Sequence, residues 1–132
     1  MEITYHVNGP LSSEELAALF EASGIRRPTG DLPRIQRMID NANLTITARA
    51  GEQLVGVARA LTDFSYCCYL SDLAVDRQHQ RSGIGRDLVR RVRAEVGPEA
   101  CLLLLSAPDA MGYYPKIGLE AVHNGWIIKR ER

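Results

Sequence analysis

The feature that most constrains this chain is a glycine-bearing loop between an apolar strand pattern and a helical one. The strand pattern ends at Val75, the glycines are Gly83 and Gly85, and apolar residues recur at helical spacing after Arg86. The first turn of a helix has backbone N–H groups without intrahelical partners and a partial positive charge, so it binds phosphate oxygens. Glycine lets a phosphate approach that backbone without meeting a Cβ. The unit therefore predicts a phosphate-binding turn.

Two common phosphate-binding motifs do not fit this loop. A P-loop requires Gly-Lys followed by Ser or Thr, and the first lysine of the chain is Lys116. A dinucleotide-binding fingerprint requires a third glycine, where this chain has Leu88, and an early βαβ strand before the loop. A purely structural role, in which the turn only joins a strand to a helix, also agrees with these residues.

Two segments carry a family resemblance. Residues 80–85, Gln-Arg-Ser-Gly-Ile-Gly, resemble the Gln/Arg-x-x-Gly-x-Gly/Ala motif of the GNAT superfamily of N-acetyltransferases. Residues 110–119 resemble that family's closing segment, in which Ala is followed by an aromatic-Tyr pair and then Gly-Phe. The chain departs from the pattern at Ala107, where many members have Asn, and at Leu119, which replaces Phe. The matched parts extend from about residue 66 to residue 119.

The resemblance implies a binding site for acetyl-CoA as co-substrate and no metal. The backbone of Leu73, Ala74 and Val75 would pair with the pantetheine arm and polarise the thioester carbonyl. The N–H groups of the loop would hold the pyrophosphate. The implied cofactor-binding residues beyond the strand are Gln80, Arg81, Ser82, Gly83, Ile84, Gly85, Arg86 and Tyr114.

Two residues are the catalytic candidates. By the resemblance Tyr114 would face the coenzyme sulfur, and a phenol with a pKa of about 10 can protonate a departing thiolate. The acceptor ammonium must lose a proton, and Asp72, beside the thioester-binding strand, is the nearest candidate base. Asp63, His79 and His123 are weaker candidates. A packed aromatic ring for Tyr114, and a solvent-facing polar side chain for the others, are the competing interpretations.

Hydrophobic periodicity predicts the order of elements. Helices are expected after the capping residues Ser12 and Asp31, over residues 86–96, and as a short segment over residues 109–116. The continuous apolar run at residues 101–105 is typical of a strand covered on both faces. With the resemblance, this predicts an α/β (α+β) GNAT fold, a mixed and mostly antiparallel sheet of about six to seven strands flanked by about four helices. The other strands are expected at residues 2–7, in a hairpin that turns at Gly51-Glu52, and at residues 66–75 and 126–129.

Length and charge limit the other possibilities. A chain of 132 residues suits one domain, here residues 1–132. Sixteen Lys and Arg balance 16 Asp and Glu, which disfavours nucleic acid or an anionic membrane as the main partner. Neither a signal peptide nor a membrane span is visible, and the three cysteines match no disulfide or zinc pattern. We therefore expect a cytoplasmic protein with reduced, mostly buried thiols.

The leading functional interpretation is an N-acetyltransferase. It would transfer an acetyl group from acetyl-CoA to a primary amine of a small molecule, peptide or protein, by direct attack in a ternary complex. The alternative is a non-catalytic or weakly catalytic acyl-CoA-binding regulatory module, and a third possibility is a dimerisation domain with a degenerate loop. The acceptor is not identified by the sequence, and both a monomer and a homodimer stay open.

Overall fold

The computed structural model describes residues 2–132 as a mixed five-stranded sheet with helices on both faces. The strands lie in chain order in the sheet, and all neighbours are antiparallel except the last pair, which is parallel. The strands are β1 (Ile3–Val7), β2 (Leu44–Ala50), β3 (Gln53–Thr62), β4 (Cys67–Val75) and β5 (Cys101–Leu103). The helices are α1 (Ser13–Ser23), α2 (Leu32–Asp40) and α3 (Ile84–Val96), and 3₁₀ turns form at Arg77–His79, Pro108–Ala110 and Tyr114–Ile117. The predicted fold class is confirmed, with fewer strands and α-helices than expected.

Local capping defines α1. The Ser12 hydroxyl accepts a hydrogen bond from the Glu15 N–H, and the Glu15 carboxylate accepts one from the Ser12 N–H. The helix ends at Gly24, whose φ of 87° is left-handed and suits glycine. Glu15 also receives two hydrogen bonds from Arg49 of β2, at 2.9 and 3.0 Å. These contacts fix α1 to the sheet as well as starting it.

Two apolar clusters separate the faces of the sheet. One face packs against α3 through Leu88 and Val92, which are fully buried. The other face packs against α1 and α2 through Leu16, Phe20 and Ile35, which are also fully buried. The central strands are therefore covered on both sides, and functional groups are accessible only at strand ends and edges.

A β-bulge at Ser71 changes which side chains of β4 point to each face of the sheet. Leu70 pairs with Ala60 and Asp72 pairs with Arg59, so Ser71 has no partner on β3. Before the bulge Leu70 packs on the α3 side, and after it Leu73 does, while Asp72 faces the α1 side. One extra residue shifts the two-residue alternation of a strand in this way. The bulge thus positions Asp72 among side chains of the α1 region.

Two predicted strands differ from the structure. β5 is only three residues long and covered on one face, with Leu103 and Leu105 exposed, because it is the edge strand and α3 covers one side. Residues 126–129 form no strand, so that prediction is wrong. Trp126 and Ile128 are 96% and 99% exposed, and no described strand edge pairs with them. Alternation in one segment cannot supply a pairing partner.

The expectation of mostly buried thiols is also wrong. Only Cys68 is buried, while Cys67 and Cys101 are exposed. The two exposed cysteines lie opposite each other at the start of the parallel pair β4 and β5, where the sheet ends. Among residues 2–132, no helix has the length and apolar character needed to cross a bilayer.

Candidate functional site

The loop between β4 and α3 contains two left-handed residues. Arg81 has a φ of 67° and Gly83 a φ of 88°. Left-handed backbone is uncommon for a residue with a side chain, and such strain concentrates at functional sites. Gly83, in the left-handed region, is followed directly by the right-handed first residues of α3, and such a sequence turns successive N–H groups toward one point. The backbone of the loop is therefore shaped as a concave donor surface.

The donors of this surface have no protein acceptor. Within residues 2–132, no hydrogen bond starts from the N–H groups of residues 81–86. The first bond of α3 runs from the Asp87 N–H to the Gly83 carbonyl at 3.0 Å. Six consecutive free N–H groups beside the positive end of a helix fit an anion with several oxygens. A diphosphate has that chemistry.

Three side chains fix the conformation of the loop through hydrogen bonds to its own backbone. The Gln80 amide donates to the Val75 carbonyl at 2.9 Å, and the Ser82 hydroxyl donates to the His79 carbonyl. The Asp76 carboxylate accepts from the Gln78 N–H at 2.9 Å. Gln80 and Ser82 therefore use their side chains on the protein backbone. The Gln80 N–H also donates to the Arg77 carbonyl at 3.4 Å, so of these two residues only Ser82 has its N–H left for a ligand.

The edge of β4 next to the loop is open. β5 pairs only with residues 67–69 of β4, so beyond Tyr69 the two strands no longer pair. The Asp76 N–H donates to Val55 of β3, whereas the Val75 carbonyl points away from β3 and accepts from Gln80. Since strand backbone groups alternate in direction, Leu73 directs its N–H and carbonyl to the open edge with Val75, and Ala74 directs its own to β3. Ala74 is 2% exposed and packs against α1.

Tyr113 and Tyr114 lie on the segment that follows β5. Their rings contact edge to face, with centroids 5.2 Å apart. Burial raises the pKa of the Tyr114 hydroxyl above its ordinary value, Tyr113 raises it further, and the positive charge of Arg27 opposes the rise. The phenol is therefore protonated at neutral pH. The short helix predicted over residues 109–116 is replaced by 3₁₀ turns, because Pro115 lacks a donor and glycines flank the segment.

Asp72 is fully buried and paired with two arginines. The Nε of Arg27 donates to one carboxylate oxygen at 2.6 Å, and the Nε of Arg59 donates to the other at 2.5 Å. Arg27 also donates to the Ser71 carbonyl at 2.9 Å and Arg59 to the Ser71 hydroxyl at 3.1 Å. Protonation of Asp72 would break both ion pairs inside the protein. This geometry disfavours the base role and favours a role in positioning Arg27.

The weaker base candidates lie in different places. Asp63 accepts from the N–H groups of Cys67, Ser65 and Tyr66, which hold the pKa of its carboxyl far below the usual range. It closes the turn between β3 and β4, at the opposite end of β4 from the loop. His123 is exposed in the C-terminal segment. His79 lies in the loop, and its buried Nδ1 has no hydrogen-bond partner among residues 2–132.

Sequence reasoning missed two contributors to the site. The Tyr113 hydroxyl lies over Gly85, at the first turn of α3. The aromatic-Tyr pair in the motif was the available signal for Tyr113. Arg27 reaches from the segment between α1 and α2 to Ser71 and Asp72, about 45 positions later in the chain. No local pattern signals such a contact.

The family assignment follows from a sequence comparison. The profile of the acetyltransferase (GNAT) domain matches residues 20–126, which include α2, the whole loop and both tyrosines. The chain belongs to the GNAT family. Its members transfer acetyl groups from acetyl-CoA, and the free N–H groups of residues 81–86 have the chemistry that the coenzyme diphosphate requires. No curated protein sequence matches the chain.

Solved structures share the GNAT fold of this protein. An acetyltransferase candidate from Deinococcus radiodurans R1 is 25% identical, with a TM-score of 0.79 over 97% of this chain and 88% of that one. A candidate from meticillin-resistant Staphylococcus aureus is 19% identical, with a TM-score of 0.83 over 98% of this chain and 100% of that one. An aminoglycoside acetyltransferase from an uncultured soil metagenomic sample, solved with sisomicin, is 20% identical, with a TM-score of 0.65 over 96% and 97%. The latter two likenesses bear on the fold alone.

Proposed function

We propose that this GNAT protein transfers the acetyl group of acetyl-CoA to a primary amine by direct attack in a ternary complex. The observation that carries the proposal is the run of free N–H groups at residues 81–86 beside the open edge of β4. The free N–H groups would hold a diphosphate, and the open edge of β4 would pair with an extended arm that carries amide groups. A turn that merely joined a strand to a helix would have no need of both features.

The backbone of β4 positions and activates the thioester. The N–H of Leu73 or Val75 donates to the thioester carbonyl oxygen and stabilises the negative charge that grows there during attack. The Val75 carbonyl is already occupied by Gln80, so the strand offers its donors and the Leu73 carbonyl. These groups are rigid because β4 is paired along its other edge with β3. The coenzyme supplies the acetyl group as an activated thioester.

Tyr114 supplies the proton for the leaving group. The acceptor ammonium first loses one proton to solvent. The uncharged amine nitrogen then forms a bond to the carbonyl carbon, the carbon–sulfur bond breaks, and the sulfur takes a proton from the Tyr114 hydroxyl. The second proton that the nitrogen loses passes to solvent and returns the phenol to its neutral form. The products are an acetamide and the free thiol. Because its pKa is raised, the Tyr114 hydroxyl stays protonated throughout the neutral pH range.

Direct attack agrees with the positions of the cysteines. Cys67 and Cys101 lie at the start of β4 and β5, whereas the loop follows the end of β4. In this proposal the thioester lies at Leu73 to Val75, six to eight residues along β4 from Cys67, which is about 20–27 Å and beyond the reach of a thiolate. A covalent acetyl-cysteine intermediate at the site is therefore not part of the proposal.

Calorimetry with acetyl-CoA tests the coenzyme site, with two glycine variants as a matched pair. Gly83→Ala and Gly97→Ala place a Cβ at a φ of 88° and 84°, at opposite ends of α3. Gly83 has a ψ of 2° and lies in the left-handed α region, whereas Gly97 has a ψ of 174°, in a region that is essentially restricted to glycine. Alanine therefore strains the backbone by about 1–3 kcal/mol at each position, more at Gly97, but only Gly83 adjoins the free N–H groups. Gly83→Ala should weaken acetyl-CoA binding by roughly tenfold, and Gly97→Ala should leave it unchanged. Equal affinity in both variants would place the coenzyme elsewhere.

A thiol-release assay then separates an enzyme from a binding module. Wild-type protein with acetyl-CoA should release free thiol at a rate that rises with amine concentration, and mass spectrometry should find the acetylated amine. Binding of acetyl-CoA without thiol release for any amine in a broad panel would favour the regulatory module.

A further inference from the structure

A depression of about 480 Å³ lies between the end of α1 and the end of β4. Its lining includes Arg26 and Arg27 from the segment after α1 and Arg77 from the turn after β4. Glu21 is the one carboxylate on its wall among residues 2–132. This volume is that of a small-molecule site. Three guanidinium groups facing one carboxylate give it an excess of positive charge.

The charged groups of the depression differ in what they contact. Arg27 is ion-paired with Asp72, and Glu21 accepts a hydrogen bond from the Thr29 hydroxyl at 2.6 Å. The side chains of Arg26 and Arg77 make no hydrogen bond or salt bridge with any residue from 2 to 132. Two guanidinium groups in this depression are therefore available to a ligand.

The depression adjoins the proposed transfer site. Arg27 lines it and also donates to the Ser71 carbonyl, two residues before Leu73. Arg77 follows Val75 by two residues and lies against Gly24, where a Cβ would collide with its guanidinium. The charge of Arg27 also reaches the Tyr114 hydroxyl. A molecule in the depression thus lies next to the strand that would hold the thioester.

We infer that the depression binds the acceptor, and that the acceptor is an amine that also carries a carboxylate or phosphate group. This inference rests on the proposed acetyl transfer and names the substrate class of the same site. The anionic group lies between Arg26 and Arg77, because planar guanidinium groups donate paired hydrogen bonds to carboxylate and phosphate oxygens. The amine of the same molecule then extends toward Leu73. Polycationic amines are repelled by the same groups.

Two other roles for these arginines make different predictions. Arg77 lies at the C-terminal end of α1, where a cation interacts favourably with the negative end of the helix dipole. That role would affect only the stability of the protein. Binding of coenzyme phosphates would affect the KM for acetyl-CoA rather than the KM for the amine. Kinetics with both substrates separate the three roles.

The activity test uses matched amines. Wild-type enzyme is assayed for thiol release with 4-aminobutyrate against its amide, with glycine against glycinamide, with O-phosphoethanolamine against ethanolamine, and with spermidine. We expect kcat/KM for at least one anionic member to exceed that of its neutral partner by about tenfold or more. Arg26→Gln and Arg77→Gln should raise the KM for the anionic amine and bring that ratio toward one, with the KM for acetyl-CoA unchanged. Arg77→Lys should restore part of the preference, and the exposed Arg93→Gln serves as the matched control.

An anion titration tests the depression without turnover. The Nε–H signals of the arginines are followed by NMR while glutarate or inorganic phosphate is added. Saturable shifts of Arg77 that are lost in Arg26→Gln support the inference, and the more effective anion indicates carboxylate or phosphate. Unshifted signals, or equal use of neutral amines and spermidine by the wild type, overturn it. Failure of acetyl-CoA to bind would instead count against the proposed function, because the titration does not require the coenzyme.

Discussion

The hydroxyl of Tyr113 lies directly over the Cα of Gly85, so that a Cβ at Gly85 would come within 2.5 Å of the phenol oxygen. This contact joins the segment after β5 to the first turn of α3, the turn that presents the free N–H groups. Tyr113 is partly exposed, and burial raises the pKa of its hydroxyl, while Arg86 lowers it and Asp87 raises it. The hydroxyl is therefore a neutral donor at the edge of the proposed diphosphate site.

Gly85→Ala should displace the Tyr113 ring and weaken acetyl-CoA binding by roughly tenfold. The helix itself should tolerate the change, because alanine favours helix over glycine by up to about 1 kcal/mol. In the double variant Gly85→Ala/Tyr113→Phe the colliding oxygen is gone, and the next ring atom lies 3.5 Å from the new Cβ. Calorimetry should show partial recovery of affinity in the double variant. Wild-type affinity in Gly85→Ala would contradict this account of the contact.

Tyr114→Phe should lower kcat by roughly 100-fold or more with little change in either KM, since a general acid acts mainly in the transition state. Burial raises the pKa of Tyr114, so the wild-type kcat should not fall between pH 7 and about 9.5 through loss of this proton. Steady-state kinetics across that range measure both effects. Tyr66→Phe is the control, because Tyr66 is 80% exposed and remote from the loop. Unchanged turnover in Tyr114→Phe would leave the ring as a packing element.

Asp72→Asn should destabilise the fold by about 3–5 kcal/mol, because it leaves two arginines without their buried carboxylate. Urea unfolding measures this loss. Arg90→Ala is the control, since the exposed pair of Arg90 with Asp87 at 3.9 Å should contribute at most about 1 kcal/mol. If Asp72 were the general base as well, the variant would also lose the acid limb of the pH–rate profile, which a positioning role leaves in place. The unfolding assay and the pH–rate profile thus measure the two roles separately.

Local sequence signals predicted most of the helices and strands, but they did not predict the side-chain contacts between those elements. The start and end of α1 were predictable because Ser12, Glu15 and Gly24 act on their own helix within a few residues. The prediction of a strand at residues 126–129 was wrong because a strand also requires the free edge of a neighbouring strand, and the sequence of one segment does not show whether such an edge is present. The glycine loop was predictable because its donors belong to consecutive residues. The pairing of Asp72 with Arg27 and Arg59 was not, because it joins an α1 loop to two strands across a bulge.

The Glu15–Arg49 pair should make stability depend on acidic pH. The hydrogen bonds from Arg49 lower the pKa of Glu15, burial partly opposes this, and the Ser12 N–H lowers it further. A carboxyl whose pKa is lowered by folding contributes stability above its unfolded pKa of about 4.3, and the contribution disappears as the pH falls through the folded value. Glu15→Gln should therefore lower the Tm at pH 7 and reduce the difference from wild type as the pH approaches 3. Glu14→Gln, which changes the exposed neighbouring carboxylate, should leave the Tm nearly unchanged at both pH values. A constant difference between Glu15→Gln and wild type across this range would show that the pair stabilises the protein through packing rather than charge.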